Sequence, residues 1–131
     1  MQTPAWQEVG NAAVPAGTVL RGQLSPLSDF NEAKAQADRD EASLDPLARA
    51  ALLESQERLL QAGVSACATP NPDVSPFVVV METDSAGIVV RTWLQGTSPL
   101  AVCFRKQALG MRLSAPARAA FHSSIELSFT P

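Results

Sequence analysis

The sequence predicts an α+β fold: a small antiparallel sheet of three to four strands packed against two or three helices. Two apolar stretches, Phe77–Glu82 and Ile88–Leu94, flank the turn-forming segment Asp84-Ser85-Ala86-Gly87, the mark of a β-hairpin. Asp45-Pro46 and Ser98-Pro99 each pair a capping side chain with proline at the first helical position, so a helix starts on either side of that hairpin. A final stretch, Phe121 to Phe129, alternates apolar and polar residues, as a half-buried strand does.

At 131 residues the chain is expected to fold as one domain around a single core. We divide it into an irregular N-terminal segment (1–28), a helical part (29–62) and a β-β-α-β core (63–131). In the first segment, Pro4, Pro15 and Pro26 with Gly10, Gly17 and Gly22 disfavour regular structure; Thr18-Val19-Leu20-Arg21 is read as a short strand added to a sheet edge. Asp29 followed by Glu32 resembles a capping box, opening a helix to about Glu41 with a thin stripe of Phe30, Ala33 and Ala37.

From Pro46 to about Ala62, Leu47, Ala48, Ala51, Leu52, Leu59 and Leu60 recur at helical spacing, with Glu54 and Arg58 as an i,i+4 pair. Gly63 is expected to end that helix. Phe77-Val78-Val79-Val80-Met81 is apolar at every position, which fits a strand covered on both faces or central in its sheet. In the next strand Ile88, Val90, Thr92 and Leu94 are expected to face the core, and Arg91 and Trp93 the opposite side. The third helix presents Leu100, Cys103, Phe104 and Leu109 on one side and ends at Gly110. Arg105 and Lys106 lie towards its C-terminus, where the helix dipole favours cations.

Hydrophobic residues at 46% and charged residues at 18% describe an ordinary globular chain, and no apolar run is long enough to span a bilayer. The net charge of −3 is unevenly spread: residues 1–90 hold five Lys/Arg against twelve Asp/Glu, whereas residues 91–131 hold Arg91, Arg105, Lys106, Arg112 and Arg118 against Glu126 alone. That is either a solvated gradient or a basic face for an acidic partner. Nucleic acid is not expected as a partner, because basic and aromatic residues do not interleave.

Catalytic motifs are missing: there is no Gly-x-Ser-x-Gly, phosphate-binding glycine loop or His-Glu-x-x-His. His122 is the only histidine, and is read as a hydrogen-bonded or solvated residue on the polar face of the last strand. No metal site, cofactor or catalytic residue is expected. Cys67 and Cys103 are too far apart in sequence for paired metal ligands and are read as a structural disulfide, with buried free thiols as the alternative. A disulfide places the chain in an oxidising compartment. Met1-Gln2-Thr3-Pro4-Ala5-Trp6 has neither the basic nor the apolar region of a signal peptide, so an exported form is expected to have lost its leader. Trp93 is either covered by a helix or the N-terminal segment, or is exposed beside Arg91 as an interaction anchor.

Residues from about 60 to 129 resemble the C-terminal domain of TonB-type and related periplasmic proteins. The matching features are a helix leading to Cys67, Phe77 to Glu82 with Asp84-Ser85-Ala86-Gly87-Ile88-Val89, the loop Gly96-Thr97-Ser98, a helix bearing Cys103, Pro116, and Phe121 before a strand ending in Phe129. The resemblance implies a TonB C-terminal-like α-β-β-α-β core with an N-terminal helical extension, pairing of the two cysteines, and a periplasmic location. A TonB-type energy transducer also has a membrane helix and a Pro/Lys-rich spacer, and this sequence contains neither. The expected function is therefore a non-enzymatic periplasmic protein-binding domain, an immunity protein neutralising a secreted bacterial toxin. The alternative is a TonB-like energy-transducer or envelope-assembly module lacking its membrane anchor. The residues expected to meet the partner protein are Trp93, Arg91, Arg105 and Lys106, and no membrane insertion of this segment is expected.

Overall fold

A computed structural model of the protein describes residues 29–116, 118 and 120–128; the strand expected at Thr18–Arg21 and the end of the last strand at Phe129 lie outside them. The order is α1 (Phe30–Ala42), α2 (Pro46–Ala66), β1 (Phe77–Thr83), β2 (Val89–Gln95), α3 (Pro99–Ala108) and β3 (Phe121–Leu127). The three strands form one antiparallel sheet in the order β2-β1-β3. The α+β class is therefore observed, with three helices and three strands among the described residues.

All three helices start where capping chemistry places them. The Asp29 carboxylate accepts the Glu32 amide at 2.8 Å, the Asp45 carboxylate accepts the Ala48 amide at 2.8 Å, and the Ser98 hydroxyl accepts the Ala101 amide at 3.1 Å. Each satisfies a donor that the first helical turn otherwise leaves unpaired. At the other end, α2 runs on to Ala66, so Gly63 does not terminate it. A β-carbon at position 63 would lie 2.5 Å from Phe104 Cε1; glycine is there because the α3 ring packs directly onto the α2 backbone.

The sheet is covered on both faces, which is why β1 is apolar throughout. On one face Phe77, Val79 and Met81 join Leu52 and Leu59 of α2, Leu100, Ala101, Phe104 and Ala108 of α3, and Phe121 and Ile125 of β3. On the other, Val80 packs with Ala33 and Ala37 of α1, flanked by Phe30 and Trp93. The thin α1 stripe suffices because alanines bring the helix close to the sheet.

In β2 the expected alternation is displaced by one residue. Glu82 pairs with Arg91 but Thr83 pairs with Val89, leaving Val90 as the additional residue of a β-bulge. Val89 is consequently the buried residue and Val90 is 51% exposed. In α3, Leu109 does not join the core face; it is exposed, and Ala101 and Ala108 are buried there instead.

Cys67, the C-cap of α2, is bonded to Cys103 in α3, with α-carbons 5.9 Å apart and a sequence separation of 36. Closing a loop of that length stabilises the fold by roughly 4 kcal/mol in the chain-entropy account. No helix among the described residues is long and apolar enough to cross a membrane.

Candidate protein-docking edge

The two edges of the sheet differ in kind. At the β3 edge, Asp40 Oδ2 accepts the His122 amide at 2.8 Å, and Glu41 Oε2 accepts the Ser124 amide at 3.0 Å and the Ser123 hydroxyl at 2.7 Å. Gln56 of α2 adds hydrogen bonds to Ser123 Oγ and to the Ser124 carbonyl at 3.2 Å. The last turn of α1 therefore supplies the acceptors that a fourth strand would have supplied, and this edge is closed to one.

The same contacts fix the direction of the main chain across the sheet. In an antiparallel pair, opposed residues alternate between exchanging two hydrogen bonds and exchanging none. Because His122 and Ser124 turn their amides outwards, their partners Glu82 and Val80 direct their own groups to β2, opposite Arg91 and Trp93. Thr92 and Leu94 consequently point their N–H and C=O groups out of the sheet. Earlier in β2 the edge is occupied: the Val89 amide donates to the Met111 carbonyl at 2.8 Å, the Gly110 amide to Val89 at 2.9 Å and the Leu113 amide to Gly87 at 2.8 Å. That backbone strap stops short of Thr92, and no described residue hydrogen-bonds to the outward groups of Thr92 and Leu94.

Beside this open stretch lies a groove between β2 and α3, lined by Val90, Thr92, Val102, Arg105, Lys106 and Leu109, with Arg91 at its β2 margin. Val90, Val102 and Leu109 are exposed large apolar residues. Arg105 and Lys106, in the last turn of α3, have no ion-pair partner among the described residues. A second concavity adjoins the disulfide, sharing Val102 and Lys106 and adding Pro99 and Cys103.

Of the four residues expected to meet a partner, Arg91, Arg105 and Lys106 line the groove and Trp93 does not. The Arg91 side chain turns to the α1 face, 3.8 Å from Glu82 Oε1 and 5.5 Å above the Trp93 ring. Trp93 is half-buried there against the α1 cluster, so of its two readings the covered one is observed. Val90, Val102 and Leu109 were not singled out in the sequence; the bulge that exposes Val90 leaves no mark in the apolar pattern.

His122 is not solvated: it is 3% exposed, because α1 lies over the face of β3 that the sequence presents as polar. Its ring packs against Trp93 at a tilt of 37°, with centroids 5.6 Å apart. Nδ1 lies 3.2 Å from the Ala120 carbonyl and 3.6 Å from Asp40 Oδ2. On the other side, Nε2 lies 3.7 Å from Glu82 Oε1, and these two buried atoms have no hydrogen-bond partner. Acidic groups on both sides of an imidazole are components of acid–base chemistry, but neither groove is lined by His122. No cluster of metal-ligating side chains occurs among the described residues. Away from these features, Asp73 is held below the ordinary carboxylate value of 3.8 by hydrogen bonds from the Ser75 hydroxyl and amide, at 2.6 and 3.0 Å.

Compared with protein-family models, with curated proteins and with solved structures, the chain matches none.

Proposed function

We propose that this chain is a non-enzymatic protein-binding domain of the bacterial periplasm, and that it acts as an immunity protein neutralising a secreted toxin. The observation that carries the binding role is the half of the outer edge of β2 that no described residue pairs with, beside exposed Val90, Val102 and Leu109 and beside Arg105 and Lys106, which have no ion-pair partner among the described residues. Exposed apolar side chains rimmed by cations are what a partner surface offers. The Cys67–Cys103 disulfide supports an oxidising compartment, where such bonds persist. A basic docking face supports an acidic partner, as toxin inhibitors gain speed and selectivity from complementary charge.

A second reading is a TonB-like energy-transducer or envelope-assembly module without its membrane anchor. It is favoured by the order of hairpin, cysteine-bearing helix and final strand, the order that the resemblance to that family implies.

The test is retention of proteins from periplasmic extract by the wild type, by Val102→Glu and by Leu53→Glu, the last altering an exposed α2 leucine away from the groove. The proposal expects one or more proteins retained by the wild type and by Leu53→Glu and lost with Val102→Glu. Identical retention by all three overturns it. A retained toxin identified by mass spectrometry supports the immunity reading, and a retained outer-membrane receptor supports the second.

A further inference from the structure

We infer that His122 carries a second ring proton inside the fold, and that this proton is a latch holding α1 on the sheet, released as pH rises. The latch needs no partner protein and stands or falls apart from the binding reading. A row of side chains crosses the three strands on the α1 face: Arg91 of β2 opposes Glu82 of β1, and Glu82 opposes His122 of β3. At the His122 end, Asp40 of α1 accepts the His122 amide through Oδ2, and the same oxygen lies 3.6 Å from Nδ1. The Ala120 carbonyl, 3.2 Å from Nδ1, can only accept a hydrogen bond, so Nδ1 bears a proton. A neutral imidazole has a single N–H, and Nε2 would then turn a lone pair to Glu82 Oε1, 3.7 Å away. Both atoms are buried, and neither has a hydrogen-bond partner among the described residues. Two buried acceptors facing each other are costly. One proton between them makes a donor and an acceptor, and a charge-assisted hydrogen bond draws such atoms to about 2.8 Å.

The neighbouring charges assign that proton to nitrogen. Asp40 favours a positive ring, and the Arg91 guanidinium, 3.8 Å from Glu82 Oε1, favours an ionised carboxylate. The charge balance agrees. Helix α1 brings Asp40 and Glu41 to this face and β1 brings Glu82, whereas Arg91 and Arg118, the latter 3.8 Å from Asp40 Oδ1, answer only two of the three. An imidazolium answers the third. The other charged side chains of these elements face elsewhere: Lys34 pairs with Asp38, Arg39 donates to Gln36, and Glu32 and Glu126 are exposed. A protonated His122 therefore ties Asp40 of α1 to Glu82 of β1. Without the second proton, two carboxylates confront each other across a neutral ring. Folding takes up this proton, so the stability it supplies is present below the pH of its release and lost as pH rises through it.

The test is a pH titration of the full chain, reading the His122 ring nitrogens by NMR and main-chain hydrogen exchange in the same samples. His122 is the only histidine, so its ring signals need no further assignment. Both ring nitrogens are expected to bear protons at about pH 7. As Nε2 loses its proton, protection of the His122 and Ser124 amides, corrected for intrinsic exchange, is expected to fall at least roughly tenfold while that of α2 is kept. Glu82→Gln offers Nε2 an amide N–H and so removes the need for the proton. In that variant the ring is expected to be neutral at about pH 7, with protection of the two amides independent of pH. A neutral wild-type ring at that pH, protection that does not change as Nε2 is deprotonated, or a Glu82→Gln ring that keeps both protons overturns the inference.

Discussion

The Asp40 carboxylate accepts the main-chain amide of His122 across 82 residues of sequence, at 2.8 Å and inside the fold. One residue further along α1 and two further along β3, Glu41 does the same for Ser124. Helix α1 is thus more than a cover for Val80 and Trp93: its last turn completes the hydrogen bonding of an edge strand that would otherwise invite pairing.

Removing that acceptor leaves a buried N–H unpaired, and an unpaired buried donor costs more than the hydrogen bond itself gains. Asp40→Ala is expected to destabilise the protein by about 2 kcal/mol, and Asp40→Asn, which keeps an oxygen, by less. Urea unfolding of the three proteins checks the order; equal stability of Asp40→Ala and wild type would show that the contact is immaterial.

Gly63 is set by the ring lying over it. Gly63→Ala brings a methyl to 2.5 Å from Phe104 Cε1, an overpacking expected to cost about 1–3 kcal/mol despite alanine's better helix propensity. Because the clash is with one side chain, Phe104→Leu should make Gly63→Ala less damaging than it is in the wild type. A double-mutant cycle from thermal unfolding measures that coupling; strict additivity would place the constraint elsewhere.

The disulfide acts mainly by limiting the unfolded chain. Cys67→Ser with Cys103→Ser is expected to lose roughly 4 kcal/mol while keeping the same sheet, because the bridge joins the end of α2 to the middle of α3, two helices already packed on the shared core. Denaturant unfolding of the oxidised and substituted proteins gives the difference, and amide NMR spectra report whether the sheet persists.

Asp73 provides a pH test with a defined sign. Its folded value is depressed by the Ser75 hydroxyl and amide, so its contribution to stability is present above the ordinary value of 3.8 and is lost as pH falls through the lowered folded value. Ser75→Ala removes the hydroxyl donor, the larger cause, and should raise the carboxyl towards 3.8. An NMR titration of Asp73 in both proteins reads the shift directly; no change would mean that the 2.6 Å contact is not formed in solution.

Local chemistry made much of this fold legible. Asp29, Asp45-Pro46 and Ser98-Pro99 fix the helix starts because a cap needs only neighbours in sequence. The two-sided apolar character of β1 foretold its central place. Features that depend on distant partners were hidden. Gly63 reads as a helix end until Phe104 is placed on it, and the bulge at Val90 inverts the facing of neighbouring residues without altering composition. His122 reads as solvated because Ser124, Glu126 and Ser128 share its face by alternation; only the docking of α1 buries it. The docking edge was the least visible of all, since it is defined by which main-chain groups other segments leave unpaired. Of its side chains only Arg91, Arg105 and Lys106 were anticipated, from charge.

Hydrogen exchange of the isolated full chain tests the contrast between the two edges most directly. Slow exchange is expected at His122 and Ser124, whose amides α1 engages, and fast exchange at Thr92 and Leu94. Protection of Thr92 and Leu94 in the absence of any partner, or exchange at His122 and Ser124 as fast as theirs, would contradict it.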